Sequence, residues 1–396
     1  MGFNIWTDCP RIPITQLLEF IVDNRGKTVP TAPSGHKLIA TNCVTNNTLF
    51  PVYEKVRYLS DETYRTWFRA HPIPGDILFV NKGTPGRVCM VPDPIDFCIA
   101  QDMIALRADD SKIYNKYLFA VLRSREIQQQ IYNTNVGDVI PHFKKQFMDQ
   151  LLIPVPDRKV QEAIGDLYYA LSYKVEHNKK INDNLEQQAS VLVEQYFESV
   201  SSIVPFAEIM SFENGFAFQS STYLPSGQYR IITIKNVQDG QIDTTGAACI
   251  DELPQRMKEG CVLQIGDALL SLTGNVGRVG IVCENGLLLN QRVAKIVPYR
   301  KELLPLLYFI YRQPSTKTQL ESIAKGTAQL NLSPVETLKL TVPYNSEVAL
   351  DLSHTLTPIY QAIIANNQQS IILASMRDAL LPKLMSGKID VTGIGI

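Results

Sequence analysis

Two short stretches hold the residues best suited to chemistry. "NKGTPGRV" (Asn81–Val88) sets Asn81, Lys82, Thr84 and Arg87 among glycines, and "LTGNVGRV" (Leu272–Val279) does the same with Thr273, Asn275 and Arg278. Glycine lets backbone approach a partner closely. Arg, Lys and Asn are side chains that hydrogen-bond phosphate oxygens and base edges. That chemistry is recognition rather than bond breaking. The alternative is a pair of hairpin turns in which the glycines take positive φ and each arginine pairs with a nearby acid. "AQD" (Ala100–Asp102) and "NQR" (Asn290–Arg292) follow the loops at nearly equal distance. They add Gln101, Gln291 and Arg292, suited equally to base or phosphate contact and to a structural hydrogen bond.

Catalytic patterns are weaker. "RGKT" (Arg25–Thr28) resembles the end of a phosphate loop, but the full pattern needs glycine where Ile21 stands. Pro92-Asp93 followed by Asp110, Ser111 and Lys112 has the residue types of a metal-dependent nuclease. The second loop region has no counterpart, so two surface turns are the simpler reading. The five histidines form no metal-ligand spacing, and Gly-x-Ser-x-Gly is absent. The seven cysteines are scattered with no Cys-x-x-Cys, which predicts reduced, mostly core thiols in a cytosolic protein. "MGFNIWTDCPRIPI" lacks a basic segment leading into an apolar one, so no signal peptide is expected, and no run reaches membrane-span length.

The elements that position these loops repeat. Gly75-Asp76 and Gly266-Asp267 open the two loops, and Gly-Arg-Val closes each, 191 residues apart. The register continues through "YLFAVLRS" and "LYFIYRQP", then through Val136–Pro156 and Lys325–Asn345, where Gly137 meets Gly326 and Phe143 meets Leu332. Matches fall on glycines, prolines and apolar positions, which dictate backbone shape and core. "DILFV", "RVCMV", "YRIITI" and "RVGIV" read as strands, and "KYLFAVLRSREIQQQI" and "LLYFIYRQPSTKTQLESI" as helices.

Each repeat ends in a long helical segment. Val160, Ile164, Leu167, Leu171, Ile181, Leu185 and Leu192 step four-three, passing through Lys174, Asn178 and Gln188. Leu352, Leu356, Ile359, Ile363, Leu373, Leu380 and Leu384 do the same, interrupted by Asn366, Ser370 and Arg377, with Pro358 a possible kink. The division expected is 1–156 globular, 157–200 helix, 201–346 globular and 347–391 helix. The chain of 396 residues carries a formal net charge of −1 and advertises no global basic field. Residues 1–156 hold 17 basic and 15 acidic groups, 201–346 hold 13 and 12, and 157–200 hold 5 and 8. Basic side chains therefore favour the globular segments.

The chain resembles the specificity (S) subunits of type I restriction–modification systems over essentially its full length. The resemblance rests on "FENGFAFQSSTY…RIITIKNVQDGQID", the paired "GD…G..GRV" loops and "MRDALLPKLMSGKIDV". The opening of the first unit, "IPITQLLEFIVDNRGKTVP", follows the family pattern less closely than that of the second. The resemblance implies an α+β fold: two similar mixed α/β target recognition domains, each followed by a long helix, the helices packing as an antiparallel coiled-coil spacer. Each domain would read one half of a split sequence in double-stranded DNA. To the loop residues above it adds His142, Lys144, Lys235, Asn236, Lys325, Gln329 and Asn331 as DNA-binding candidates. It implies no catalytic or metal-ligating residue in this chain. Methyltransferase (M) subunits would dock near the spacer, restriction (R) subunits would join the full complex, and S-adenosylmethionine, ATP and Mg would sit on those partners. The complex is expected in the cytoplasm, off the membrane. The alternative function, favoured by the near-neutral charge, is a tandem-repeat protein-binding scaffold with no DNA role.

Overall fold

The structure is a computed structural model that describes residues 4–24, 26–134, 141–326 and 330–390. Arg25, Gly137 and Gln329 lie outside the described residues. The chain divides into two compact units, Met1–His177 with Ile372–Ile396, and Asn178–Ile371.

The first unit is built on an antiparallel sheet of four strands, in spatial order Leu18–Val22, Met103–Ala108, Ile77–Val80 and Val88–Met90. A second sheet places His36–Ile39 between Arg57–Leu59 and Phe97–Ile99, antiparallel to the former and parallel to the latter. Arg11–Pro13 pairs with Leu152–Pro154, closing the unit from both chain ends. The second unit repeats this plan. Its four strands are Met210–Asn214, Val293–Pro298, Ala268–Ser271 and Val279–Ile281. Its second sheet is Cys249–Ile250, Tyr229–Ile232 and Leu287–Leu289, and Ile203–Pro205 pairs with Thr341–Pro343. A two-stranded hairpin, Val237–Gln238 with Gln241–Ile242, has no counterpart among the described residues of the first unit. The strand Ile77–Val80 is buried on both faces, as its unbroken apolar run requires.

The two segments read as single helices are each two. Asn115–Leu122 gives way to Arg125–Asn133, and Leu304–Arg312 to Pro314–Ile323. Ser124 starts the new helix by accepting the Ile127 N–H, and Pro314 stands in the first turn of its helix, where a missing N–H is harmless.

The long helices span Arg158–Ser199 and Ser346–Met385. The second runs on through Pro358 and stops short of 391. Gly387, at φ 69°, turns the chain, and the Ile389 N–H returns to the Lys383 carbonyl. Within the second unit Asn178 meets Asn366 and Ser370, while the Tyr196 hydroxyl meets Asn345, so the helices run antiparallel. In the first unit Tyr168 lies under Arg377. In the second helix Leu356, Ile363, Arg377 and Leu384 of the expected frame are buried, whereas in the first the most buried stripe shares only Ile164 and Asn178 with the expected seam. It runs through Ile164, Tyr168, Ser172, Asn178, Asn182, Ala189, Val193 and Tyr196, whereas Leu167, Ile181, Leu185 and Leu192 are half-buried. The reason is that each helix packs on a globular core as well as on its partner. Tyr168 touches both Phe119 and Arg377. Gly165 marks a close approach, since a Cβ there would stand 2.6 Å from the Tyr117 nitrogen.

Candidate DNA-reading loops

Each loop begins with a turn whose function is structural. Gly75 and Gly266 take φ of 88° and 91°. The carboxylates that follow cap the turn: Asp76 accepts the Ile73 N–H at 3.0 Å and Asp267 the Gln264 N–H at 2.9 Å. A cation from the neighbouring strand closes each arrangement, Arg107 on Asp76 at 3.0 Å and Lys295 on Asp267 at 3.5 Å. Burial of these groups makes the pairing necessary. Gly-Asp is therefore repeated because the turn is repeated.

The loop tips are held alike. Gly83 and Gly86 have positive φ, as do Gly274 and Gly277. The Gly83 N–H donates to the Pro141 carbonyl (3.0 Å) and the Gly274 N–H to the Leu330 carbonyl (2.9 Å). Phe143 and Leu332, which the repeat register equates, are both buried, and both return an N–H at 2.7 Å, to the carbonyls of Asn81 and Leu272. A later segment thus plugs each loop from below.

The candidate side chains separate into framework and surface. Asn81 is wholly buried and donates to the Phe143 carbonyl. Asn236 is buried, accepting from Thr233 and donating to the Asp243 carbonyl. The Thr273 hydroxyl is buried against Asn331 at 2.9 Å. Gln101 spends its amide on Lys27 and Thr28. These groups shape the loops. Lys82, Lys144, Lys235, Asn275, Gln291, Arg292 and Lys325 are exposed, and Thr84, Arg87 and His142 are half-buried. Lys325 and Asn331 also exchange backbone hydrogen bonds. The local acids of the alternative hairpin reading are not found paired with either arginine among the described residues. Arg278 donates to the Gln238 amide oxygen, and no ion pair holds Arg87 among the described residues. What the structure brings together in each unit is a glycine loop with cations and amides at its rim.

Other motifs dissolve into packing. Asp110 pairs with Arg158 at 3.0 Å and Lys112 with Asp109 at 2.8 Å, so the nuclease-like residues are spent on structure. The seven cysteines are free thiols, six of them buried. No helix among the described residues is long and apolar enough to cross a membrane.

Four residues behind the loops were not legible from motif or spacing. The side chain of Asn46 caps the Val88 N–H at 2.9 Å, and that of Asp239 caps the equivalent Val279 N–H at 3.3 Å. Arg123 and Arg312, 189 residues apart, hold those capping segments. Arg123 and Arg312 each stand one residue before the N-cap of the following helix, Ser124 and Gln313, a one-residue shift from the register of "YLFAVLRS" and "LYFIYRQP" that the sequence did not show.

The sequence model of the type I restriction modification DNA specificity domain family matches residues 31–187 and again 200–373. The chain is 23% identical over 356 residues to the type I restriction enzyme MjaIX specificity subunit of Methanocaldococcus jannaschii, covering 80% of this chain and 78% of that protein. It is 20% identical over 399 residues to the HindI specificity subunit of Haemophilus influenzae, covering 80% and 86%. The crystal structure of the type I restriction-modification S subunit from M. genitalium shares the fold at a TM-score of 0.51 and 17% identity, over 94% of this chain and 95% of that one. With two tandem matches that take in most of its length, and the same loop built the same way in each unit, the chain belongs to the type I restriction modification DNA specificity family.

Proposed function

We propose that this chain is the sequence-reading subunit of a type I restriction–modification complex. Each globular unit reads one half of a split DNA sequence, with 1–156 and 201–346 as recognition domains and the long helices as spacer. The observation that carries this is the repetition of one loop architecture, with cations and amides at its rim, in two domains of a DNA specificity family. One chain with two such units imitates a two-fold dimer, and dimers read paired half-sites at set separation. The scaffold alternative has no such support, since both matched segments are DNA specificity domains. Adenine methylation and cleavage fall to partner M and R subunits in the cytoplasm, which would carry S-adenosylmethionine, ATP and Mg.

The test is the methylation motif of the complex reconstituted with its methyltransferase partners, read by sequencing. A bipartite motif is expected. Four residues inserted after Leu185 add one helical turn, about 5–6 Å. Both half-sequences should persist while their separation grows by about one or two base pairs, given ~3.4 Å of rise per pair. A changed half-sequence at constant separation would refute this division of labour.

A further inference from the structure

A cavity of about 570 Å³ opens beside the first loop, lined by Asn81, Lys82, Gln101, Asp102 and His142 among others. Asn81 is wholly buried in its wall. Its amide nitrogen faces the Phe143 carbonyl, which fixes the orientation of the group and leaves Oδ1 with no partner. Gln101 is tied down by Lys27 and Thr28. Asp102 is not: its carboxylate is 48% exposed, and the Lys82 ammonium stands at the outer limit of pairing, 4.0 Å away.

The backbone holds Asp102 in an unusual pose. Gln101 and Asp102 have φ of 22° and 60°, two of only three non-glycine residues in the left-handed region among those described. Such conformations are maintained where surrounding structure over-determines them. Here the Asp102 carbonyl accepts the N–H groups of both Asn81 and Lys82, locking it to the loop. In the second unit the equivalent position is Arg292, exposed and without positive φ. The repeat thus places opposite charges at one site.

A carboxylate on a DNA-reading surface repels phosphates. It is complementary only to a hydrogen-bond donor, and in the major groove cytosine presents its N4 amino group as the donor that Asp or Glu accepts. We propose that Asp102 is a specificity-determining residue of the first unit and that the cavity receives the N4 amino edge of a cytosine in that unit's half-site. Arg292, by the same chemistry, faces an acceptor edge or a phosphate in the other half. This inference rests on the DNA-reading function proposed above.

The experiment uses the full chain with its methyltransferase partners on a randomised duplex library, methylated and sequenced. Asp102→Gly and Asp102→Asn both tolerate the left-handed backbone, so the loop keeps its shape. Wild type should show a cytosine at one position of one half-site. Asp102→Gly should lower discrimination there roughly 5- to 150-fold, and Asp102→Asn should move the preference towards adenine, the base that Asn pairs with. Affinity for non-specific duplex should rise in both variants because a negative charge is removed, and the shifted base preference of Asp102→Asn is the effect that a merely structural residue would not produce. The other half of the motif, read by the same molecules, reports that the chain is folded. An unchanged half-site in both variants, or equal loss in both halves, overturns the role of Asp102. Absence of any bipartite motif in wild type overturns the DNA-reading function itself.

Discussion

Arg123 and Arg312 each stand one residue before the N-cap of the equivalent following helix and solve one problem with different chemistry. Arg312 is clamped between two carboxylates, Glu186 of the first long helix and Asp239 of the hairpin, and Lys317 adds a longer pair to Asp239 at 3.6 Å. Among the described residues Arg123 pairs with no carboxylate. One nitrogen donates to the carbonyls of Thr45, Thr48 and Val88, and the guanidinium lies 4.3 Å from the Phe119 ring centre. Both arginines anchor the segment that caps the strand after the recognition loop, Asn46 on Val88 and Asp239 on Val279. Burial works against both charges. For Arg123 it wins and its pKa is lowered; for Arg312 Tyr308, Glu186 and Asp239 outweigh it and its pKa is raised. The comparison teaches that the repeat conserves what is held, not the groups that hold it. It also shows that the second unit ties its loop to the spacer helices more directly. Gly240, beside Asp239, passes its carbonyl to Asn367, which accepts from Asn182.

The comparison breaks hardest at the arginines themselves. Arg312→Met strands Glu186 without its cation and leaves Asp239 only the longer Lys317 pair, and should destabilise the second unit by about 3 kcal/mol, the lower end for a broken buried pair because Asp239 is partly exposed and keeps Lys317. Arg123→Met leaves only neutral carbonyls unpaired and removes a buried charge, so a loss of about 1–2 kcal/mol is expected. Hydrogen exchange resolved by unit measures both; equal losses would mean that the carboxylates contribute nothing.

A smaller difference is expected at the loop rims. Arg87→Ala should lower affinity for DNA of any sequence and reduce the salt slope by about one, with no change in stability. Arg278→Ala should reduce the slope similarly and also lower the melting temperature of the second unit, because the Gln238 amide loses its donor. Binding titrations at several salt concentrations, alongside thermal melts, distinguish the two.

The smallest effect is acid sensitivity. In the first unit, burial raises the pKa of Asp96 and Asp166, but Lys37 with Tyr53, and Lys116 with Tyr114, outweigh it and hold both carboxylates below the ordinary 3.8. A depressed carboxylate stabilises the fold above its unfolded pKa, and that contribution is lost as pH falls through the folded value. Asp183, in the second unit, is shifted the other way, raised by burial. It opposes folding at neutral pH and ceases to do so as it protonates. Below about pH 4 the first unit should therefore lose protection before the second, whose one similarly depressed carboxylate among the described residues, Glu336, is half-exposed. The reverse order in pH-dependent hydrogen exchange would contradict these shifts.

Much of this architecture was legible in the sequence because it depends on short-range rules. Positive-φ turns demand glycine, so Gly75, Gly83, Gly86 and their partners at Gly266, Gly274 and Gly277 announced the repeated loop. A four-three apolar step over forty residues announced the long helices, and a register drifting by two residues announced two copies of one fold. Single side chains were another matter. Whether Asn81, Asn236 and Thr273 face inward, and whether Gln101 is already spent, depends on carbonyls and hydroxyls brought from Phe143, Asp243, Asn331 and Lys27. In the first long helix most of the buried stripe lay beside the expected seam because heptad logic counts one partner, and that helix has two; in the second, Leu356, Ile363, Arg377 and Leu384 of the expected frame are buried. Periodicity and backbone conformation are local and survive in the order of residues. The partner of a polar group is settled only when distant segments meet, and that the tertiary structure alone decided.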